Sequence, residues 1–127
     1  MPRNNDVKKS LKKLATKDRA KVSQRFFKTG KGEYGEGDIF IGITVPDTRL
    51  VARQFYDLPF IEIQKLLKSK VHEERLCALL ILVNIYKAGD TRVRGEIFSF
   101  YLKNLSRVNN WDLVDLSADK IVGAHLM

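Results

Sequence analysis

The chain has 127 residues, 44% hydrophobic and 30% charged, which is typical of one folded domain with a core and excludes a disordered protein. Its longest apolar run, residues 76–83, is too short to cross a bilayer, and no apolar segment follows the charges at the N-terminus. We therefore expect neither a membrane-spanning helix nor a signal peptide. Cys77 is the only cysteine, which excludes an internal disulfide and predicts a cytoplasmic location. His72 and His125 lack partners at metal-ligand spacing, so we predict no metal site.

The positive charge is concentrated at the N-terminus. The whole chain has a net charge of +8, but residues 1–31 carry eleven Lys and Arg side chains and only two acids, Asp6 and Asp18. That segment has a net charge of +9, and the remaining residues together have −1. Such a one-sided distribution predicts a polyanionic partner, most simply the phosphates of a nucleic acid. The alternative is a solvated basic helix that keeps the protein soluble.

Helical periodicity is the main structural signal along the chain. Apolar side chains recur three and four residues apart in five segments, the first of which is expected to break near Thr16. The segments are residues 6–28, 47–57, 60–69, 73–87 and 92–105. Together with a helix after residue 110, they predict six or seven helices with short connections and no convincing strand.

The ends of these helices can be read from their first and last residues. Asp47 or Thr48 is expected to cap the second segment, and Pro59 to open the third. Residues 73–87 are apolar around nearly the whole circumference, which predicts a central buried helix. Residues 89–90, a Gly-Asp pair, are expected to end that helix and to cap the next.

These features predict the fold class. Residues 1–127 form a single all-α domain in which antiparallel helix pairs stack as a helical-repeat solenoid, an α-α superhelix. The expected pairs are 47–57 with 60–69 and 73–87 with 92–105.

A glycine-rich loop over residues 29–46 interrupts the helices. Gly30, Gly32 and Gly35 match the spacing of a dinucleotide-binding motif. No strand precedes the match and no helix opens at its end, so we expect no nucleotide cofactor and assign the glycines to tight turns. The apolar side chains at residues 39–43 are expected to pack this loop onto the core.

The stretch at residues 109–115 is the strongest candidate for chemistry. Two asparagines favour a helix start there, and Trp111 and Asp115, four residues apart, share one face of that helix. A carboxylate beside an aromatic face can meet a cationic ligand. The alternative is structural: acids in a first turn complement the helix dipole, and a lone Trp is commonly a packing anchor.

Five motifs occur here in the order found in AlkD-like DNA alkylation repair proteins, and over about residues 20–126 the chain resembles that family. The motifs lie at residues 25–30, 32–38, 40–46, 72–76 and 109–115. The resemblance implies a solenoid of HEAT-like repeats whose concave face holds duplex DNA. It also implies hydrolysis of the N-glycosidic bond of N3- and N7-alkylated purines, a DNA glycosylase activity.

The resemblance assigns roles to particular residues. It implies that Asp115 and Trp111 are the catalytic carboxylate and the aromatic side chain that faces the sugar. For contacts with DNA we single out five residues of the basic segment and of the helix after the loop: Arg25, Phe26, Lys28, Lys31 and Arg49. Phe26 matches a position that is Tyr in some family members, so a hydroxyl role is not expected. No cofactor is implied.

Family members are longer than this chain, and their later helices supply a catalytic Arg and more of the DNA cradle. We therefore expect residues 1–127 to represent the N-terminal part of an AlkD-like fold, without the family's C-terminal half. Such a part is either active on its own or inactive without those later helices. The alternative functions are a non-catalytic nucleic-acid-binding module and a protein-binding helical-repeat module. The last helix remains apolar to the end of the chain, which predicts self-association or a partner at that face.

Overall fold

A computed structural model describes residues 2–26 and 39–103, and the side chains of residues 22–26 are not part of that description. Within these ranges the chain forms six α-helices, and its only β pairing is an isolated parallel bridge between Ile39 and Val71. The helices are α1 (Asn4–Lys12), α2 (Lys17–Phe26), α3 (Val45–Gln54), α4 (Phe60–Leu67), α5 (His72–Ala88) and α6 (Thr91–Lys103). The predicted all-α, helical-repeat class is confirmed.

Helix α5 is the centre of the domain. It contacts α1, α3, α4 and α6, and nearly all of its residues are buried, as its apolar circumference predicts. Cys77 is fully enclosed on this helix, and burial, with a smaller contribution from the charge of Glu74, raises the pKa of its thiol to about 12. This thiol is a small core residue and not a reactive group.

The helix pairing differs in part from the expected one. Helices α5 and α6 are in contact, as predicted, but α3 and α4 pack on α5 more extensively than on each other. The turn between α5 and α6 also agrees with the prediction, because the carboxylate of Asp90 accepts a bond from the amide of Val93 at 2.9 Å. Arg94 then donates to the carbonyl of Tyr86 at 3.0 Å and covers the Tyr86 ring, which completes the end of α5.

Helix α3 begins earlier than predicted. Its cap is Thr44, whose side chain accepts a bond from the amide of Asp47 at 3.2 Å, so the prediction of Asp47 or Thr48 was wrong. The loop consequently ends at Thr44 and not at residue 46. Pro46 lies in the first turn, where its missing N–H costs nothing, and the hydroxyl of Thr48 is turned back to the carbonyl of Thr44.

Helix α4 follows Pro59 as predicted and buries Ile63, Leu66 and Leu67 against α5. Phe60, at its first turn, stacks on Phe100 of α6 with 5.2 Å between the ring centres. Helix α4 thus contacts both α5 and α6.

Several apolar residues are exposed where the sequence pattern places them with the core. Tyr56, just beyond the end of α3, is 70% exposed, and Leu50 is 51% exposed. Ile39 is also largely exposed, because its backbone and not its side chain attaches the loop to the start of α5. Phe40 is buried, and Ile41 and Ile43 pack against the core as expected.

Candidate nucleic-acid interface

The described part of the N-terminal segment presents a row of exposed cations. The side chains share two properties: each is exposed, and no carboxylate among the described residues lies within ion-pair distance of it. They are Lys9, Lys12, Lys13, Lys17, Arg19 and Lys21. We refer to these six residues as the cationic row. Unpaired, hydrated cations on consecutive helices are suited to contact with phosphates, whose counterions they displace.

Lys8 differs from its neighbours because it serves to attach α1. Its amine lies 3.7 Å from the carboxylate of Glu74, and the two side chains are 34% and 5% exposed. Glu74 also accepts a hydrogen bond from the hydroxyl of Ser69 at 2.6 Å. A buried carboxylate on α5 thus holds one lysine of the basic segment to the core, and that lysine is not available for a ligand.

The first turn of α1 is attached through Glu62 of α4. One carboxylate oxygen accepts from both the backbone N–H and the side-chain amide of Asn4, each at 2.9 Å, and the other oxygen lies 3.0 Å from the amine of Lys65. The hydrogen bonds from Asn4, joined by that from Lys65, lower the pKa of Glu62 to about 2.

The start of α2 is attached through Gly42. The N–H of Thr16 donates to the carbonyl of Gly42 at 2.8 Å, and the Thr16 hydroxyl accepts from the N–H of Arg19 in the first turn of α2. Gly42 has a φ of +86°, and a Cβ there would lie 1.8 Å from the carbonyl oxygen of Thr16. Glycine is required both by the backbone conformation and by this close approach.

The other side of Gly42 faces the carboxylate of Glu73, which is 3% exposed at the start of α5. Glu73 accepts three backbone N–H bonds, from Gly42 at 2.8 Å, Ile41 at 3.2 Å and Ile43 at 3.3 Å. A buried anion with three N–H donors at a helix N-terminus is well stabilised. Glu73 therefore fixes the loop segment to which Thr16, the residue before α2, is hydrogen-bonded.

Two of the sequence motifs thus prove to be a single structural unit. Residues 40–46 and 72–76 are far apart in sequence, yet Glu73 binds the amides of the loop and His72 stacks on Phe40 with 4.6 Å between ring centres. The bridge between Ile39 and Val71 continues the same contact. Sequence reasoning quoted these residues for their family resemblance but missed their structural role. Acids at a helix start and a glycine among isoleucines were the available signals.

Helix α3 adds two further exposed cations. Arg49 and Arg53 are one helical turn apart on the same side of α3, and no described carboxylate pairs with either side chain. The structure therefore leaves Arg49 accessible, as a DNA contact requires, and brings Arg53 to the same face.

The other predicted site residues are not tested. Trp111, Asp115, Lys28 and Lys31 lie outside the described residues. Arg25 and Phe26 belong to α2, but their side chains are not described. Their roles stay predictions.

Metal sites and membrane spans are absent from the described ranges. Within residues 2–26 and 39–103, no three His, Cys, Asp or Glu side chains are grouped so that they could hold a metal ion. Across the same ranges, no helix is long and apolar enough to cross a membrane. The candidate interface consists of the cationic row together with Arg49 and Arg53, because these side chains are exposed and no described carboxylate pairs with them.

Comparison with known proteins identifies a family for the chain. A family model described as DNA alkylation repair enzyme matches residues 7–127, which is nearly the whole chain. No curated protein and no solved structure matches.

Proposed function

Since the chain belongs to the DNA alkylation repair enzyme family, we propose that it binds duplex DNA and hydrolyses the N-glycosidic bond of N3- and N7-alkylated purines. The observation that carries the proposal is the family match over residues 7–127. The cationic row and the arginines of α3 support its binding half, because duplex DNA is the polyanion that a repair protein meets.

The reaction needs little acid catalysis at the purine, because the alkylated purine is already a good leaving group. An N3- or N7-alkylated purine carries a positive charge, so it departs as a neutral base when the bond to C1′ of the deoxyribose breaks. The electron pair of that bond leaves with the purine, and positive charge develops on the sugar. Water then adds to C1′ and releases a proton, which gives an abasic site.

In this proposal Asp115 supplies the negative charge that the sugar requires. A fixed carboxylate stabilises the developing cation and orients the attacking water, as carboxylates do in glycoside hydrolysis. Trp111, four residues earlier in the sequence, adds the attraction between a cation and an aromatic face. The cations of α1, α2 and α3 hold the phosphates on either side of the lesion and so position the sugar.

The direct test is release of 7-methylguanine from a duplex, measured by chromatography of the free base. The wild-type chain is expected to release it, and Asp115→Asn, which removes the charge at constant shape, is expected to be slower by on the order of a hundredfold or more. Asp119→Asn is the matched control, since it removes one carboxylate four residues further along the sequence, and it is expected to retain the rate. Equal rates for wild type and Asp115→Asn would remove Asp115 from the mechanism.

The second candidate function is non-catalytic binding of nucleic acid. The cationic row favours it, because phosphate contacts need no catalytic group. Tight, salt-dependent binding of a methylated duplex without any release of base would select this function over the first.

A further inference from the structure

A continuous hydrogen-bonded path connects the central helix with the basic helix α2. It runs from the Glu73 carboxylate to the N–H of Gly42 at 2.8 Å, and from the Gly42 carbonyl to the N–H of Thr16 at 2.8 Å. Thr16 continues the path into α2, because its carbonyl accepts from the N–H of Ala20 at 3.1 Å. Two residues, Gly42 of the loop and Thr16, therefore lie between a buried anion and the first turn of α2.

Each link of this path is specific. Glu73 is the acceptor for three amides that point into a buried site, so its replacement by a neutral group leaves donors without a partner. Gly42 cannot be exchanged for a larger residue without a clash with Thr16. Hydrogen bonds in such a chain polarise and strengthen one another.

Helices α1 and α2 differ in their described attachments. Helix α1 packs on α3, α4 and α5 and is held in addition by Glu62 and Glu74. Among the residues that the structure describes, α2 makes no extensive contact with another helix. Three cations of the cationic row, Lys17, Arg19 and Lys21, are nevertheless carried by α2.

We propose that Glu73 is a positioning residue for nucleic-acid binding: through Gly42 and Thr16 it fixes the start of α2 and thereby the place of the cations on that helix. This inference rests on the DNA binding proposed above. Glu73 itself touches no phosphate, since it is buried and its oxygens face the loop amides.

Amide hydrogen exchange of the wild-type chain tests the path without any substitution. The amides of Thr16, Ile41, Gly42 and Ile43 are expected to exchange with one common opening free energy, because the bonds break together. Amides of α4 are expected to exchange independently of them. Unrelated opening free energies for Thr16 and Gly42 would overturn the proposal.

The substitution Glu73→Gln then connects the path to binding. A glutamine keeps one acceptor oxygen and directs an NH2 group at amide donors, so faster exchange is expected at Thr16 and in the first turn of α2. The slope of log affinity against log salt for a 20-base-pair duplex is expected to become shallower by about 0.9 for each phosphate that α2 no longer binds. Glu73→Asp keeps the charge and is expected to restore part of the slope.

Glu74→Gln is the matched control, because it neutralises the adjacent buried carboxylate of the same helix. It is expected to loosen the contacts of Lys8 and Ser69 and to leave exchange at Thr16 unchanged. Faster exchange in Glu73→Gln with an unchanged salt slope would make Glu73 merely structural and overturn the proposal. Should wild type itself fail to bind duplex DNA, the proposed function falls, and the exchange data alone decide whether the path exists.

Discussion

The pair α4–α5 and the segment α1–α2 are stabilised in opposite ways. Helices α4 and α5 bury apolar side chains, and the largest fully enclosed residues include Ile63, Leu66 and Ile81. The N-terminal segment buries only Val7 and Leu11 among its described residues and exposes the cationic row. One region gains stability by removing apolar surface from water, and the other keeps its charges hydrated.

Carboxylates connect these two regions. Glu62, Glu73 and Glu74 belong to α4 and α5, yet each faces the N-terminal segment or the loop that is hydrogen-bonded to it. A strongly basic segment repels itself and is costly to pack by apolar contacts alone. Attachment by a few buried acids holds the segment in place and leaves the other cations free for a ligand.

The largest expected effect separates stability from binding. Ile81→Ala, at a fully buried position of α5, is expected to lower the free energy of unfolding by about 2–5 kcal/mol because it removes packed methyl groups. The matched control is Ile61→Ala, at a 60% exposed position of α4, with an expected change of less than about 0.5 kcal/mol. Denaturant titration measures both. A similar loss at the two positions would contradict the placement of the core in α5.

Removal of cations from the cationic row is expected to weaken DNA binding and to leave stability nearly unchanged. A variant with Lys12, Lys13 and Lys17 all changed to Ala is expected to bind duplex DNA more weakly, while its free energy of unfolding changes by less than about 0.5 kcal/mol. The control changes three exposed lysines outside the N-terminal segment and removes equal charge. Its substitutions are Lys68→Ala, Lys70→Ala and Lys87→Ala. Fluorescence anisotropy measures the affinity. If both sets weaken binding equally, net charge and not the location of these lysines determines the affinity.

A smaller effect is expected from the attachment at Glu62. Its pKa of about 2 lies below the ordinary 4.5, so its contribution to stability is fully present above about pH 4.5 and is lost as the pH falls through about 2. The melting temperature, measured at a series of pH values from 5 down to 2, is expected to fall less steeply for Glu62→Gln than for wild type.

Glu96→Gln is the matched control for that series, because it removes a more exposed carboxylate, paired with Arg92 at 3.3 Å, from α6. Glu96→Gln is expected to leave the dependence of the melting temperature on pH close to that of wild type. If Glu62→Gln and wild type lose stability in parallel, Glu62 does not anchor α1.

The sequence predicted the body of the fold from periodicity. The apolar circumference of α5, the opening of α4 after Pro59 and the turn at Asp90 each depend on nearby residues, so local rules were sufficient. The start of α3 was missed because Thr44, Asp47 and Thr48 are all capable caps. Only the observed bond from the Asp47 amide to Thr44 distinguishes them.

The candidate site was predictable only in its charge. An excess of lysine is visible in composition, whereas the attachment of those lysines depends on contacts between residues that are far apart in sequence. The bond between Glu73 and Gly42 spans 31 positions, and the one between Glu62 and Asn4 spans 58. No periodicity reports a contact of this kind, because each partner is an ordinary residue in its own segment.

The most direct measurement is the affinity of the chain for an unmodified duplex over a range of salt concentrations, from about 50 to 300 mM. Contact between the cationic row and phosphates predicts that log affinity falls linearly with log salt, with a slope of about −0.9 for each phosphate engaged. A slope of about −2.7 or steeper is expected if half of the row takes part. An affinity that does not change with salt would contradict binding of nucleic acid by these helices.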